Sequence, residues 1–557
     1  MANDSQRETT SRFTRRGFLG GIGAGAIGAA GAIATAEPAI AQQTRQTTPA
    51  ARSDRFSRMF EGLPPFADAS LRVQSALRDM GQKGGLLDAN DQLSAGPIPL
   101  IVDPALRVNN PDNPLATAGV TFLGQFFDHD MTFDASSRLG VPTRPEQSVN
   151  SRTPSFDLDS VYGRGPIADT QFYDPADRVK FTLEKTTEGG FEDLPRTSSG
   201  TAIIPDPRND EHVIIGGMQA AFLCFHNKVV DMLRAQGDDQ RLSQLTLDGA
   251  EDSTIAANVD AFADFRESTR LRNVFTEARR LVTWHYQWII LNEFLPNIVG
   301  SQLVNDILQR GRRYYRPRAG EQSIPVEFQA AAYRFGHSIV RPSYRANMKG
   351  DGGQPFFAFI FDPAGEGQLD PVDLRGGCRA ARRFVGWQTF FDFGGDQTTN
   401  VRQNKLIDTK LSTPLFDLPL GAIASGDAPT SLAQRNLLRQ LTWSLPSGQD
   451  IARAIGVRPL APSELGELAA FGAGFERSTP LWYYILKEAE LAGGTHLAGV
   501  GARIVAEVFI GLLELDSNSY LATNPRWRPT LPSRTPGVFK MVDLLTFAGV
   551  DPASRQQ

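Results

Sequence analysis

The stretch TFLGQFFDHDMTF (Thr121 to Phe133) sets Gln125, Asp128, His129 and Asp130 inside a wall of phenylalanine and leucine. Charged groups merely buried there are costly, so these side chains call for partners or for chemistry. An imidazole can move protons and a carboxylate can hold a cation. Downstream, TPSFDLDSVYG (Thr153 to Gly163) brings Thr153, Asp157 and Asp159 together as hard oxygen donors, the type that suits a calcium-sized ion. Six histidines occur in the chain. His129 lies in the opening stretch, His212 in DPRNDEH, His226 in FHNKVV, His285 in TWHYQW, His337 in YRFGHSIVRP and His496 in GGTHLAG. Taken singly, each is more simply a hydrogen-bonded core residue than a ligand. No HExxH pair, GxSxG elbow or GxxxxGK[ST] loop is present, so zinc-hydrolase, nucleophile-elbow and P-loop chemistry have no support.

The elements that must position these residues are helical. Gly217 to Gly237 places Ala221, Phe222, Phe225, Val229 and Met232 at spacings of one, three and four, with Gly237 as a stop. Ala257 to Gly300 reads as one or two long helices ended by Pro296 and Gly300, Pro325 to Val340 as another, and Gly501 to Asp516 as a late one. Period-two runs are few and short. The expected class is mainly α, with few short strands and long Pro/Gly-rich connections such as Gly350 to Pro355.

With 557 residues, 41% of them hydrophobic and 21% charged, the chain can bury a large core. A net charge of -5 with scattered Lys and Arg leaves no nucleic-acid footprint. Cys224 and Cys378 are too few for a disulfide framework, although one bridge between them is open. At the N-terminus, adjacent Arg15 and Arg16 precede an uncharged Gly/Ala-rich run to Ala36, and Ala39 to Ala41 supply small residues for cleavage. This resembles a twin-arginine export signal over residues 1–41, which places the mature protein in the periplasm or outside the cell and confines any membrane contact to an uncleaved signal. A polar segment covers 42–57. From 58 to 557 no internal repeat or low-complexity linker divides the chain, so a single large domain is expected.

The order of five motifs carries the functional reading. GQFFDHD (Gly124 to Asp130), TPSFDLDSVYG, DPRNDEH (Asp206 to His212), YRFGHSIVRP (Tyr333 to Pro342) and RNLLR (Arg435 to Arg439) follow one another as in the animal-type haem peroxidases. The chain resembles that superfamily, which also contains the cyclooxygenases, over roughly Phe66 to Pro529, and looks like a bacterial exported member. The resemblance implies haem b as cofactor, His129 as distal base, Arg208 as distal cation, and Gln125 as a hydrogen-bonding partner one turn before His129. It places Asp128 and Glu211 where the family forms ester links to haem, and makes His337 the ligand of the haem iron. Asn436 would be the amide oxygen that accepts from His337, and Arg334 and Arg439 would lie near the haem edge, Arg439 on a propionate. For calcium it implies Asp130, Thr153, Ser155 (through its carbonyl), Asp157 and Asp159. Two departures stand out. His212 replaces a methionine that makes a third haem link in some mammalian members, so efficient chloride oxidation is not expected. Asp159 stands where mammalian relatives carry serine.

The implied activity is peroxidase turnover. Hydrogen peroxide would oxidise the haem, and small-molecule donors would reduce it, either anions (bromide, iodide, thiocyanate) or phenols, a choice the sequence leaves open. Two alternatives are a fatty-acid dioxygenase and a non-catalytic extracellular adhesion protein. The first wants a tyrosine three residues before the proximal histidine, where this chain has Arg334 and places Tyr333 about 100° away on a helix. The second is disfavoured by the presence of both His129 and Arg208.

Overall fold

Apolar spacing of three and four builds most of the molecule, and the result is a mainly α protein. The computed structural model describes residues 54–188, 190–237, 259–423 and 425–556, and side chains within these except 259–272. The expected export signal over 1–41 and residues 42–53 lie outside the described residues. Among the described residues the principal helices are α1 (Leu71–Met80), α2 (Gly119–Met131), α3 (Val213–Ala235), α4 (Val259–Ile289), α5 (Leu432–Thr442), α6 (Leu481–Leu491) and α7 (Gly499–Leu515). Strands occur as three antiparallel pairs, Asp112–Thr117 with Gln403–Lys405, Glu184–Lys185 with Glu192–Asp193, and Ser343–Asp351 with Gln354–Phe359.

The helix that carries the opening stretch is held by aromatic packing. Phe126 stacks on Phe222 of α3 at 4.6 Å between ring centroids, and Phe127 meets Phe294 edge-on at 4.9 Å. Tyr286 of α4 touches both phenylalanines. Phe126 and Phe127 are fully buried, each worth roughly 1.5–3 kcal/mol of burial, and together they fix the rotation of α2 about its axis. At its start, Gly119 lets the chain pass the Phe391 ring, since a Cβ there would sit 2.4 Å from that ring. Any side chain at this position would displace α2 and the residues it carries.

Helix α3 starts where the His212 side chain accepts the Ile215 N–H, and its end falls at Ala235, two residues before the expected Gly237, whose φ of 71° ends the run. It is long and apolar enough to cross a membrane, with a mean hydropathy of 1.3, but 78% of that window is buried in protein, as in a core helix. The second long run is α4 followed by a π turn over Ile290–Phe294 and a short helix to Val299, with Gly300 at φ 79° as the stop. Pro296 has no N–H to offer the Asn292 carbonyl, which is where the ladder widens.

Two expectations are corrected. Pro325 to Val340 is not one helix: Val326–Ala330 is α-helical, Ala331 breaks away (φ −133°, ψ −69°), and Ala332–Ile339 continues as a 3-10 helix. Tertiary hydrogen bonds override the helical spacing there. Glu327 accepts from the Met59 and Phe60 N–H groups, while the Tyr333 hydroxyl donates to the Gly124 carbonyl of α2 at 2.9 Å. Gly350 to Pro355 is not a long connection but the tip of a hairpin, because Gly352 (φ 58°) and Gly353 (φ 85°) take the positive φ values that a tight two-residue turn demands.

Candidate active site

Two imidazoles organise the site. His129, one turn from the end of α2, is buried, and its Nδ1 lies 2.8 Å from Asn209 Oδ1. An amide oxygen can only accept, so the proton is on Nδ1 and Nε2 keeps its lone pair. Asn209 in turn donates from Nδ2 to Gln219 Oε1 of α3 at 2.9 Å. Burial and then the nearby Arg208 guanidinium push the His129 pKa down to about 3, which keeps the ring neutral. Arg208 donates to the His129 carbonyl at 3.0 Å and is held by Asp206 through Nε (3.0 Å) and Nη2 (2.7 Å), with its guanidinium 4.3 Å over the Phe133 ring. Asp206 is shared: Arg152 Nε lies 2.8 Å from Oδ2, the oxygen that Arg208 Nη2 also binds. Burial alone would raise the Asp206 pKa, but the two arginines outweigh it and hold the carboxyl below its usual range.

Gln125, one turn before His129, is committed at both ends of its amide. Its Nε2 donates to Glu211 at 3.1 Å, and its Oε1 accepts from His212 Nε2 at 2.9 Å. His212 therefore both caps α3 and orients Gln125, and burial holds its pKa at about 3. Burial also pushes Glu211 up to about 8 and raises Asp128, which accepts no side-chain hydrogen bond among the described residues. Each of the two carboxyls also feels Arg208.

The second imidazole sits on the 3-10 segment. Residues three apart eclipse in a 3-10 helix, so Arg334 and His337 project to the same side, and both reach Asn436 of α5. Arg334 Nη1 donates to Asn436 Oδ1 at 3.0 Å, and Asn436 Nδ2 lies 2.7 Å from His337 Nδ1. Here the amide orientation is the reverse of the expected one, since Arg334 is a donor-only group that occupies the oxygen. His337 Nδ1 accepts, and burial followed by Arg334 holds its pKa at about 3. Its Nε2 has no protein partner among the described residues, and Gly336 beside it faces open space, with nothing within 4 Å of where a Cβ would lie. Arg334 in turn acts on Asp128, and the Tyr333–Gly124 bond ties this segment to α2. Arg439, also on α5, bonds Asp134 Oδ2 at 2.6 Å and Ser137 Oγ at 2.9 Å.

A third group lies on the far side of α2 from Asp128. Carboxylate oxygens of Asp130, Asp157 and Asp159 fall within 4.8 Å of one another. Asp130 accepts from the Leu158 N–H, the Ser160 N–H and hydroxyl, and the Tyr286 hydroxyl. Burial and then Asp159 raise its pKa to about 7, and Asp157 is raised further for the same two reasons in the same order. Thr153 donates its N–H and hydroxyl to Asp159 Oδ2, and Arg152 approaches Asp159 at 3.4 Å. Ser155 donates its hydroxyl to Asp516. One buried and two half-buried carboxyls at this distance offer the oxygen donors a hard divalent cation takes.

A family model for the animal haem peroxidases matches residues 129–363. Thyroid peroxidase of Sus scrofa is 26% identical over 408 residues, which cover 68% of this chain and 39% of that protein. Among solved structures, peroxidase A from Dictyostelium discoideum aligns with a TM-score of 0.54 and 15% identity over 90% of this chain and 97% of that one. Over residues 129–363 the chain is similar to the animal haem peroxidases. A fatty acid alpha-dioxygenase from Arabidopsis thaliana shares the fold, with a TM-score of 0.51 and 13% identity over 84% of this chain and 73% of that one. The chain spans less than half the length of the curated relatives it matches.

The similarity to the animal haem peroxidases implies a haem cofactor, and the residues fit one. Two neutral imidazoles each leave Nε2 without a protein partner, and two carboxyls that burial has driven upward stand beside Gln125 with few hydrogen bonds to satisfy them. Sequence reasoning missed four residues of this site: Asn209, Gln219, Asp206 and Arg152. Asn209 and Asp206 stood inside a quoted motif, but only the fold shows which side chain each touches. Gln219 was recognisable as the one amide in the apolar run GGMQAAFL. The two cysteines are separate free thiols, and burial raises the pKa of Cys224 to about 12.

Proposed function

We propose that this protein is a haem peroxidase that uses hydrogen peroxide to oxidise small anions (bromide, iodide, thiocyanate) or phenols. The observation that carries this reading is the pair of anchored imidazoles, each with Nε2 open, flanked by a fixed guanidinium and two carboxyls raised by burial. Bound haem supplies the iron at which peroxide reacts and a reservoir for the two oxidising equivalents. His337 Nε2 would be its ligand, with the proton then on Nδ1 and the Asn436 amide turned to offer that proton its oxygen. His129 Nε2 takes the proton from one peroxide oxygen and returns it to the departing one. Arg208, held by Asp206, offers a cation to the charge that develops as the O–O bond lengthens. Asp128 and Glu211 are placed for ester links, Arg439 for a propionate in exchange for Asp134, and Gln125 for orienting Glu211. Calcium is held by Asp130, Asp157, Asp159, Thr153 and the Ser155 carbonyl, clamping the loop to α2. Export by the twin-arginine route would place the enzyme in the periplasm or outside the cell.

The dioxygenase alternative has less support. Tyr333 donates to a backbone carbonyl and stacks on Phe328 at 4.9 Å, and the position three before His337 is Arg334. The test is the absorption spectrum of the protein expressed with haem supply, before and after one equivalent of hydrogen peroxide. A Soret band that shifts with peroxide and returns on addition of iodide or a phenol is the expected result. A protein without a Soret band, or one indifferent to peroxide, sinks the proposal.

A further inference from the structure

We infer that Asn209 and Gln219 form a two-amide relay that holds His129 in its Nδ1–H tautomer, and that this relay makes them positioning residues for the peroxide step. The kinetic consequence rests on the proposed peroxidase function; the tautomer itself does not. All three side chains are buried, Asn209 and Gln219 with no exposure and His129 with 4%, so water does not compete for these bonds. The relay is polar in one direction. His129 Nδ1–H donates to Asn209 Oδ1, Asn209 Nδ2–H donates to Gln219 Oε1, and Gln219 Nε2 is left as the buried end without a hydrogen-bond partner.

The same three residues could run the other way. With both amides turned, Gln219 would donate to Asn209, Asn209 would donate to Nδ1, and the His129 proton would move to Nε2. That ring would present an N–H instead of a lone pair and could not take a proton from peroxide. Arg208, pinned by Asp206 and the His129 carbonyl, leaves the ring neutral in either direction, so the direction is carried by the two amide bonds themselves. The tautomer is thus set by an amide on α3, one residue beyond the group that touches the base.

The test compares Asn209→Leu, Asn209→Asp and Gln219→Leu in the haem-loaded protein. Stopped-flow Soret spectroscopy gives the rate of the peroxide step and, separately, of reduction by iodide. Nitrogen-15 NMR of histidine-labelled protein in its diamagnetic, carbon monoxide-bound ferrous form reports the tautomer. Asn209→Leu is expected to slow the peroxide step about 10- to 100-fold, the usual effect of losing an orienting partner, with haem content and the iodide step unchanged. Its His129 signal is expected to show both tautomers. Asn209→Asp, which keeps an acceptor for Nδ1–H, restores most of the rate, and Gln219→Leu falls between. A soluble, haem-loaded Asn209→Leu protein that reacts at the wild-type rate, or one that keeps a pure Nδ1–H ring, overturns the relay. Should Asn209→Leu not fold, Gln219→Leu decides by the same two readouts. If the wild type takes up no haem, the peroxidase proposal fails, and the tautomer in the haem-free protein still upholds or overturns the relay.

Discussion

His129 and His337 look alike until their partners are compared. Each is held at Nδ1 by an asparagine and leaves Nε2 open, yet Asn209 presents its oxygen and Asn436 its nitrogen. The difference arises one residue further out. Behind Asn209 stands Gln219, whose Oε1 accepts from Asn209 Nδ2 and leaves the asparagine oxygen for the histidine. Behind Asn436 stands Arg334, which can only donate, so the oxygen is taken. The proton on each imidazole is therefore decided by a group that never touches it. On the distal side the ring is already in the form a base needs. On the proximal side Nδ1 accepts, so the ring holds the opposite form, which iron ligation through Nε2 would have to overturn.

The comparison can be broken or sharpened, beginning with the largest effects. Replacing His337 with alanine is expected to abolish or misligate haem, seen as loss of the Soret band. His129→Ala is expected to keep the band and slow the peroxide step about 10²- to 10⁴-fold, the range for a positioned acid–base group. If both variants lost haem equally, the assignment of opposite roles would be wrong. Chelating divalent cations, or Asp130→Ala, is expected to lower the midpoint of thermal unfolding and slow the peroxide step while the Soret band persists. At calcium 100-fold above its dissociation constant the loss is about 2.7 kcal/mol. An unchanged melting curve would remove the cation from the distal side.

Smaller effects follow. An aspartate at 436 has no N–H to offer, so Asn436→Asp is expected to favour the ligating tautomer and stabilise ferric iron. A tenfold stabilisation lowers the one-electron potential by about 59 mV, to be measured by spectroelectrochemistry. A potential that rises instead would mean that the amide does not turn. Last comes Glu211, a distal group with no proximal counterpart. Its folded-state pKa of about 8 lies above the ordinary 4.5, so its contribution to stability is complete below about pH 4.5 and is lost as pH rises through about 8. In haem-free protein, Glu211→Gln is expected to flatten that decline by more than about 1.4 kcal/mol, the linkage of one displaced pKa unit. Parallel melting curves from pH 5 to 9 for the variant and wild type would exclude it.

The helical class and the residues of the two sites were legible because both are local. Apolar spacing marks α3, α4 and α7, and the motifs name His129, Arg208, Glu211 and His337 directly. What was hidden was long-range. The break at Ala331 accompanies Glu327 binding the backbone of Met59 and Phe60, nearly three hundred residues away in sequence, and no local pattern announces that contact. Gln219 reads as an ordinary polar interruption in a core helix until Asn209 is placed beside it. The orientation of an amide has no sequence signature at all, since asparagine offers a donor and an acceptor and only its neighbours choose between them.

Asp206 joins what the motifs keep apart. It pairs with both Arg208 and Arg152 through Oδ2, and Arg152 reaches on to Asp159 in the acidic cluster. Were a cation held there, its occupancy and the placement of the Arg208 guanidinium would be linked through these three ion pairs, and linkage is reciprocal. A cation that draws Asp159 inward changes the load on Arg152 and hence the share of Asp206 left to Arg208. By the same measure, an anion bound at Arg208 alters cation affinity at the loop.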